Sequence, residues 1–307
     1  MNAPQIVSVV AATNDAYSQH CAVMIASVLT NTTDPTRVQL HVLDCGLSNT
    51  EMSRIQQTCK TYGSNVEFHH VDKDILRQLP ETTHTQASYA RIFIGSLLPE
   101  TLKRVIYLDS DLIVKDNIIR LFNWDLQQKP IASARDFSST AAYRLANPPL
   151  NYFNSGVLVI DLAYWRNHSI EKRIIDYLIE THDNTQFADQ DALNVIFKEN
   201  WIELPPRWNT QLGVYTTRPR RWERQGFKTE DLEEALKNPA IVHYINNSKP
   251  WLFRSNHPLK FLYWKYLKST PYSNYRYPDF NTKTLIEKTL HIQRLLKGFW
   301  CRQKFNG

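Results

Sequence analysis

The 307-residue sequence predicts an α/β protein with a mixed, mostly parallel sheet and helices on both faces. First, short apolar runs alternate with helix-like segments, as strand–helix–strand units do. Second, polar clusters follow two of the apolar runs, and ligands bind outside the carboxyl ends of strands in such sheets. Third, the chain has 8 glycines and lacks both GxGxxG and GxxxxGK[ST]. A glycine-cradled dinucleotide or P-loop site is therefore not indicated.

The apolar runs predict strands at residues 6–12, 38–44, 66–72, 104–109, 130–136 and 155–162. The segments between and after them predict helices at about 19–30, 49–62, 86–96, 115–123 and 168–181. Residues 205–240 lack this alternation of apolar runs and helical patterns, and we predict that they form loops and short helices that cover a ligand site. A last helix is predicted at roughly residues 283–302.

The stretch RVIYLDSDLIV, residues 104–114, places two carboxylates at the end of an apolar run. Asp109 and Asp111 lie two residues apart, so on an extended chain they point to the same side. Because a desolvated charge is costly without a partner, the pair predicts a bound divalent cation. A solvated turn is the alternative for a lone D-x-D. A phosphatase with the hhhDxDx[TV] signature is disfavoured, because Ile113 replaces its Thr or Val.

Residues 240–251, AIVHYINNSKPW, add an imidazole and a cation. Taken alone, His243 is more typical of a buried structural histidine, and Lys249 of a surface cation. Together with Asp109 and Asp111, His243 makes a ligand set that suits Mn²⁺ or Mg²⁺, and its nitrogen favours Mn²⁺. Lys249 supplies a point charge for phosphate oxygens.

The sequence resembles glycosyltransferase family 8, the retaining group of GT-A fold that includes glycogenin and bacterial lipooligosaccharide α-galactosyltransferases. The motifs, in the family's order, are AATNDAY (11–17), SYARIFIGSLLP (88–99), YLDSDLIV (107–114), YFNSGVLVIDL (152–162), FADQDALN (187–194) and HYINNSKPW (243–251). Any one motif is weak, but six in order are specific. The resemblance implies a Rossmann-like GT-A catalytic domain over residues 1–255, with residues 205–240 on the acceptor side.

The resemblance also implies roles for matching residues. Residues of the first-strand loop would hold uridine, Arg91 and Lys249 would contact the diphosphate or sugar, and other polar groups would surround the donor sugar. The implied substrate-binding residues are Ala12, Thr13, Asn14, Tyr17, Arg91, Asp109, Ser110, Asn154, Ser155, Asp189, Gln190, Asn246 and Lys249, and the metal ligands are Asp109, Asp111 and His243. Asn14 and Ala16 replace an Asp and an Asn of many bacterial members, and Asn246 replaces a frequent Gly.

The implied reaction is retaining transfer of galactose or glucose from a UDP-sugar, with Mn²⁺ or Mg²⁺ assisting loss of UDP. The candidate catalytic residues are Gln190 and Asp189. Gln190 has the position of a nucleophile, but an amide is a poor one. We therefore favour front-face attack, with Asp189 orienting the sugar. A glycogenin-type or protein-directed transferase is the alternative. A sugar-nucleotide-binding protein without turnover is disfavoured, because the metal ligands are intact.

Positive charge is concentrated in the C-terminal segment, residues 256–307. The chain has a net charge of +6, and residues 252–307 contain eleven Lys or Arg and two acids. From Leu285 to Trp300, an apolar face opposes a basic one, which is typical of an interfacial membrane anchor. A helix packed on the catalytic domain is the alternative. We expect binding to an anionic membrane at its cytoplasmic face, a glycolipid acceptor such as lipooligosaccharide or lipopolysaccharide core, and no nucleic-acid partner.

Overall fold

All seven residues of β1 (Val7–Thr13) are buried, as expected for a central strand covered on both faces. The computed structural model describes residues 5–80, 86–137, 151–181, 188–216, 223 and 226–290. The other strands in these ranges are β2 (Val38–Asp44), β3 (Asn65–His70), β4 (Arg104–Leu108), β5 (Leu112–Val114), β6 (Ile131–Ser133), β7 (Val157–Asp161), β8 (Ile202–Glu203), β9 (Thr210–Gln211) and β10 (Ile241–His243).

The α-helices within the described ranges connect or follow these strands. They are α1 (Ser18–Asn31), α2 (Asn49–Thr61), α3 (Lys73–Arg77), α4 (Ile94–Leu97), α5 (Ile118–Phe122), α6 (Leu162–Asn167), α7 (Ile170–Glu180), α8 (Ala188–Phe197), α9 (Leu212–Thr216), α10 (Thr229–Lys237) and α11 (Lys260–Leu267). Residues 282–290 are also helical.

The main sheet has seven strands in the order β3-β2-β1-β4-β7-β6-β8. Strands β3, β2, β1 and β4 run parallel, β7 runs antiparallel to both β4 and β6, and β8 is parallel to β6. A smaller sheet has the order β5-β10-β9. The mixed, mostly parallel sheet expected from the sequence is confirmed.

The core lies in two layers, one on each face of the main sheet. Val9 and Val10 are adjacent on β1, so their side chains point to opposite faces. Val9 packs in the layer that contains Met24 of α1. Val10 packs in the layer that contains Leu178 of α7 and Leu193 of α8. The helices on both faces are therefore held by apolar burial, the dominant favourable contribution to folding.

Two predicted helices differ in detail from the observed ones. The segment at 86–96 is a 3₁₀-helix over Gln86–Phe93, followed by the short α4. The segment at 168–181 is largely α7, with α6 directly before it. Ser169 separates α6 from α7 with a left-handed φ of +49°. The spacing of apolar residues gives no sign of such a break.

Helix α11 in the C-terminal segment packs against α1. The Tyr263 hydroxyl lies 2.7 Å from His20 Nδ1 and accepts a hydrogen bond of 2.8 Å from Gln19 Nε2. The helix predicted at 283–302 is present over residues 282–290, and the rest of that prediction lies outside the described residues. Among the described residues, no helix combines the length and apolarity needed to cross a membrane.

Candidate active site

One cavity of about 300 Å³ lies where β1 and β4 end, and all the proposed site residues line it. This volume is at the lower end of the range for small-molecule sites. The sequence-derived residues that line it are Ala12, Thr13, Asn14, Tyr17, Arg91, Asp109, Ser110, Asp111, Asn154, Ser155, Asp189, Gln190, His243, Asn246 and Lys249. The structure therefore brings residues from six distant motifs into one place.

Asp109, Asp111 and His243 converge in this cavity. His243 Nε2 lies 3.1 Å from Asp111 Oδ1 and 3.7 Å from Asp109 Oδ2. One ligand atom from each residue falls within 4.8 Å of the others. Two carboxylate oxygens and one imidazole nitrogen at this spacing fit a divalent cation such as Mn²⁺.

Strand pairing produces this convergence across 132 residues of sequence. Strands β5 and β10 pair antiparallel with His243 opposite Leu112, directly after Asp111. The Tyr244 N–H donates to the Asp111 carbonyl at 3.0 Å. Two paired backbone segments thus hold Asp111 and His243 in register.

Gly156 allows the ligands to approach the backbone closely. The Asp109 N–H donates to the Gly156 carbonyl at 2.9 Å. A Cβ at position 156 would lie 2.6 Å from Asp109 Oδ2 and would also overlap the His243 ring. No side chain fits here without displacing Asp109 or His243.

Lys249 places a cation beside the carboxylates. Its Nζ donates to Asp111 Oδ2 and, at 2.8 Å, to the Tyr244 carbonyl. Burial acts to raise the pKa of Asp111, but Lys249 and His243 outweigh burial and hold that pKa below its ordinary value. Asn246 has a left-handed φ of +56°, a conformation that Gly adopts freely and Asn tolerates. Asn246 therefore accommodates the left-handed turn in the loop that carries Lys249.

Arg91 ties the carboxylates to the sheet. Its Nη2 donates to Asp109 Oδ1 at 2.8 Å, and its Nη1 donates to the Ser155 carbonyl at 2.6 Å. Its Nε lies 2.9 Å from Asp189 Oδ2. Burial disfavours the guanidinium charge, but Asp109, Tyr107 and Asp189 outweigh burial and raise the pKa of Arg91. Arg91 is therefore charged, buried and shared between two acids.

Asp189 lines the cavity, and its buried Oδ2 has an ion-pair partner but no hydrogen-bond donor among the described residues. Its Oδ2 is close to Arg91 Nε, but that N–H donates to the Ser88 carbonyl at 3.1 Å instead. Burial raises the pKa of Asp189 to about 6. The Arg91 charge compensates this buried oxygen, so only the remaining accessible part of the Asp189 side chain, 8% of its surface, can contact a ligand.

Gln190 is fixed through both ends of its amide. Its Oε1 accepts from the Ser155 N–H at 2.9 Å and from Asn154 Nδ2 at 3.2 Å. Its Nε2 donates to Asp136 Oδ2 and to the Tyr152 hydroxyl, each at 3.2 Å. The backbone N–H of Ser155 can only donate, so the orientation of the Gln190 amide is determined.

The loop after β1 is ordered by its own hydrogen bonds. Asn14 caps the turn that follows it, because its Oδ1 accepts from the Tyr17 N–H at 3.2 Å. Ser110 donates from Oγ to the Ala12 carbonyl at 3.0 Å, which links this loop to the two aspartates. The Tyr17 ring packs edge-on against Trp251 with ring centroids 5.9 Å apart. The loop and the 243–251 motif therefore form adjoining walls.

Two functional candidates were missed from the sequence, Asp136 and Asn209. Asp136 lines the cavity and accepts from Asn154 Nδ2 at 3.1 Å. Its position at the carboxyl end of the predicted strand 130–136 was an available signal. Asn209 lies behind the cavity, fully buried in a 3₁₀ turn. No motif or periodicity marks it.

Asn209 determines which nitrogen of His243 faces the carboxylates. The Gly156 N–H donates to Asn154 Oδ1 at 3.1 Å, and Asn209 Nδ2 donates to the same oxygen at 2.9 Å. Asn209 Oδ1 must then accept from His243 Nδ1, at 3.0 Å. His243 therefore carries a proton on Nδ1 and directs Nε2 at the carboxylates, and in the neutral imidazole this Nε2 has the lone pair that can bind a metal ion.

We expect Asn209→Ala to weaken Mn²⁺ binding by ~10–100-fold, the usual cost of losing a partner behind a ligating histidine. The substitution also removes the hydrogen bonds that Asn209 makes with His243 Nδ1–H and with Asn154 Oδ1. Titration of the purified protein with Mn²⁺ measures the effect. Asn200→Ala, which removes a partly buried amide bonded to Tyr164, is the control. Equal Mn²⁺ affinity in the wild type and Asn209→Ala would contradict the tautomer assignment.

Comparison with known proteins identifies the chain. The model of the family "Glycosyl transferase family 8" matches residues 8–255. The chain belongs to glycosyltransferase family 8. The matched range contains every residue that lines the cavity.

This family 8 protein has similar sequences among known proteins and a similar fold among solved structures. It is 33% identical over 288 residues to General stress protein A of Bacillus subtilis, covering 92% of this chain and 100% of that protein. It is 29% identical to lipopolysaccharide 1,2-glucosyltransferase of Escherichia coli K12, covering 75% and 68%. The crystal structure of galactosyltransferase LgtC with donor and acceptor sugar analogs superposes with a TM-score of 0.73, at 26% identity and coverage of 86% and 96%. The GT-A fold is therefore confirmed.

Other relatives are longer than this chain. Glycosyltransferase GlyF of Streptococcus pneumoniae is 28% identical, and the match covers 84% of this chain but 61% of GlyF.

Proposed function

We propose that this family 8 enzyme transfers galactose or glucose from a UDP-sugar to a saccharide acceptor with retention of anomeric configuration. The observation that carries the proposal is a single cavity that combines three candidate metal-ligand side chains, two cations and a wall of fixed amides. The first two features suit a diphosphate, and the third suits sugar hydroxyls. The names of relatives that transfer glucose and galactose to lipopolysaccharide support a hexose donor.

Asp109, Asp111 and His243 would hold Mn²⁺, with Mg²⁺ as the alternative. The fit rests on their converging oxygen and nitrogen atoms and on Gly156, where a Cβ would overlap two of the three side chains. When bound, the ion would neutralise the diphosphate and stabilise the charge on departing UDP.

The protein's own cations act on the same diphosphate. Lys249 lines the cavity next to Asp111 and brings its ammonium to phosphate oxygens. Arg91 holds Asp109 Oδ1, so that Asp109 Oδ2 faces His243. Fixed charges in a site shielded from water stabilise a developing charge more than mobile water does. The loop over Ala12–Tyr17 lies beside them and would hold the uridine.

The buried polar wall would bind the donor sugar. Asp189 and Asp136 both line the cavity, and their carboxylates would accept hydrogen bonds from sugar hydroxyls. Gln190 Oε1 already accepts three hydrogen bonds, and a neutral amide is a poor nucleophile. These contacts support front-face attack, in which the departing phosphate takes the proton of the acceptor hydroxyl. Gln190 and Asp189 then position the sugar.

The acceptor side and the C-terminal segment complete the proposal. Residues 1–255 form the catalytic domain, and residues 205–240, with α9 and α10, lie on the acceptor side. In the C-terminal segment, residues 256–307, Phe261 and Phe280 are each 60% accessible, and Phe261 lies on α11 with Lys260 and Lys265. This combination supports peripheral binding at the cytoplasmic face of an anionic membrane and a glycolipid acceptor such as lipopolysaccharide core.

We expect the full chain to sediment with anionic lipid vesicles and to be released by salt. The double variant Lys265→Glu, Lys268→Glu should bind at least ~10-fold more weakly, because each basic residue near the surface contributes ~1 kcal/mol. The control is Lys172→Glu, Lys237→Glu, which changes net charge equally outside the C-terminal segment. An equal loss in both double variants would point to net charge alone and contradict a C-terminal binding surface.

Release of UDP from UDP-glucose and from UDP-galactose, with Mn²⁺ or with EDTA, tests the function. Mn²⁺-dependent release from one donor, as slow hydrolysis or in the presence of a saccharide acceptor, is the expected result and names the sugar. Failure to bind UDP in the presence of Mn²⁺ would overturn the proposal.

A further inference from the structure

A second group of metal-binding side chains lies on β2 and β3, away from the active-site cavity. His41 stands opposite Glu67 in the parallel register of these strands, and His69 follows Glu67 by two residues. All three side chains therefore project from the same face of the sheet. None of them lines the active-site cavity. We call them the edge cluster, because β3 is the outermost strand of the main sheet.

Three atoms of the edge cluster form a triangle. His41 Nδ1 lies 3.0 Å from His69 Nε2 and 3.6 Å from Glu67 Oε2, and His69 Nε2 lies 3.9 Å from Glu67 Oε2. Ligand atoms around a tetrahedral zinc ion are about 3.3–3.4 Å apart, given metal–ligand distances of about 2.0–2.1 Å. The observed separations bracket this value, so small side-chain movements would place all three atoms on one ion.

The surroundings favour coordination over a charged histidine pair. His41 is 2% exposed and Glu67 is 54% exposed, so the triangle reaches from the interior to solvent. Burial lowers the pKa of His41 to about 4, and burial also lowers the pKa of His69. Both imidazoles are therefore neutral near pH 7, the form that binds metals. Two imidazoles and a carboxylate, with a fourth position open to water, suit Zn²⁺.

We propose that His41, Glu67 and His69 form a zinc site that fastens the edge strand β3 to β2. The site is separate from the donor-binding metal triad and needs no UDP-sugar. A ligand that binds the folded protein alone stabilises it, so Zn²⁺ should raise the thermal midpoint.

The test uses full-length Asp111→Asn protein freed of metal with EDTA, because this substitution removes one of the three candidate ligands in the active-site cavity. Equilibrium dialysis against Zn²⁺ with metal analysis gives the stoichiometry, and thermal unfolding gives the shift in midpoint. Asp111→Asn should bind Zn²⁺ and gain stability. Adding His69→Ala or Glu67→Gln should weaken that binding by more than ~100-fold, since even an outer partner is worth ~10–100-fold. Glu67→Gln guards against misfolding, because it alters an exposed side chain isosterically.

His70→Ala in the same background is the matched control. His70 is the neighbouring residue, 70% exposed, on the opposite face of β3. It should leave Zn²⁺ binding and the midpoint shift unchanged. Asp111→Asn alone and its combinations with His69→Ala, Glu67→Gln and His70→Ala all retain Asp109 and His243. Any Zn²⁺ that these two residues hold weakly therefore does not affect the differences among the four proteins. The proposal is overturned if Asp111→Asn takes up no zinc, or if His69→Ala and Glu67→Gln bind it as His70→Ala does.

Discussion

Asp111→Asn should reduce Mn²⁺-dependent UDP release by ~10²–10³-fold, the usual cost of losing one electrostatic partner of the departing group. Asp111 is engaged through both oxygens, since Oδ1 lies 3.1 Å from His243 Nε2 and Oδ2 accepts from Lys249. An amide keeps the shape but removes the charge that both partners require. Steady-state UDP release at several Mn²⁺ concentrations measures the loss, and direct Mn²⁺ titration shows whether affinity accounts for it.

Asp116→Asn is the control for this substitution. Asp116 is buried to a similar degree, with 17% of its side chain exposed against 14% for Asp111. It also pairs with a cation, Arg207 at 2.9 Å, but it does not line the cavity. The Asp116→Asn variant should be somewhat less stable than the wild type but should release UDP at the same rate. A similar loss of turnover in both variants would assign the effect to folding and contradict a metal-ligand role for Asp111.

The candidate metal ligands show how much of the site could be predicted from the sequence. Asp109 and Asp111 are predictable from elementary geometry, because two carboxylates two residues apart at a strand end must share a side. His243 required the family resemblance, because its proximity to Asp111 arises from the pairing of β5 with β10. Register between distant strands depends on the whole sheet, and no local pattern encodes it.

Asn209 and the 3₁₀ segment that carries Arg91 show why the remainder could not be predicted. Asn209 acts through the orientation of two amides, which only the surrounding donors determine. Residues 86–96 have the apolar spacing of an α-helix, yet Gln86–Phe93 is a 3₁₀-helix. Arg91 in that segment bonds to Ser155 and Asp109. Such tertiary bonds override a weak local preference.

Arg91→Met should destabilise the protein by ~3–5 kcal/mol near pH 8, the usual cost of removing one partner of a buried ion pair. Methionine replaces the length of the side chain, but it leaves Asp109 and Asp189 without their shared cation. Urea unfolding of the metal-free protein measures the loss. Arg77→Met is the control, because Arg77 and its partner Asp74 are both exposed and their pairing should contribute ~0–1 kcal/mol.

The pH dependence of this loss identifies the group responsible. Burial raises the pKa of Asp189 from 3.8 to about 6, so between these values the folded protein binds more protons than the unfolded chain. Stability therefore falls as the pH rises through this window. Arg91 lowers the pKa of Asp189, so replacing Arg91 raises that pKa and extends to higher pH the range over which stability falls. The stability lost in Arg91→Met should therefore be larger at pH 8 than at pH 5. Asp189→Asn should restore part of the lost stability in Arg91→Met. A deficit that is constant with pH and unaffected by Asp189→Asn would mean that packing against Tyr107, not charge, is the role of Arg91.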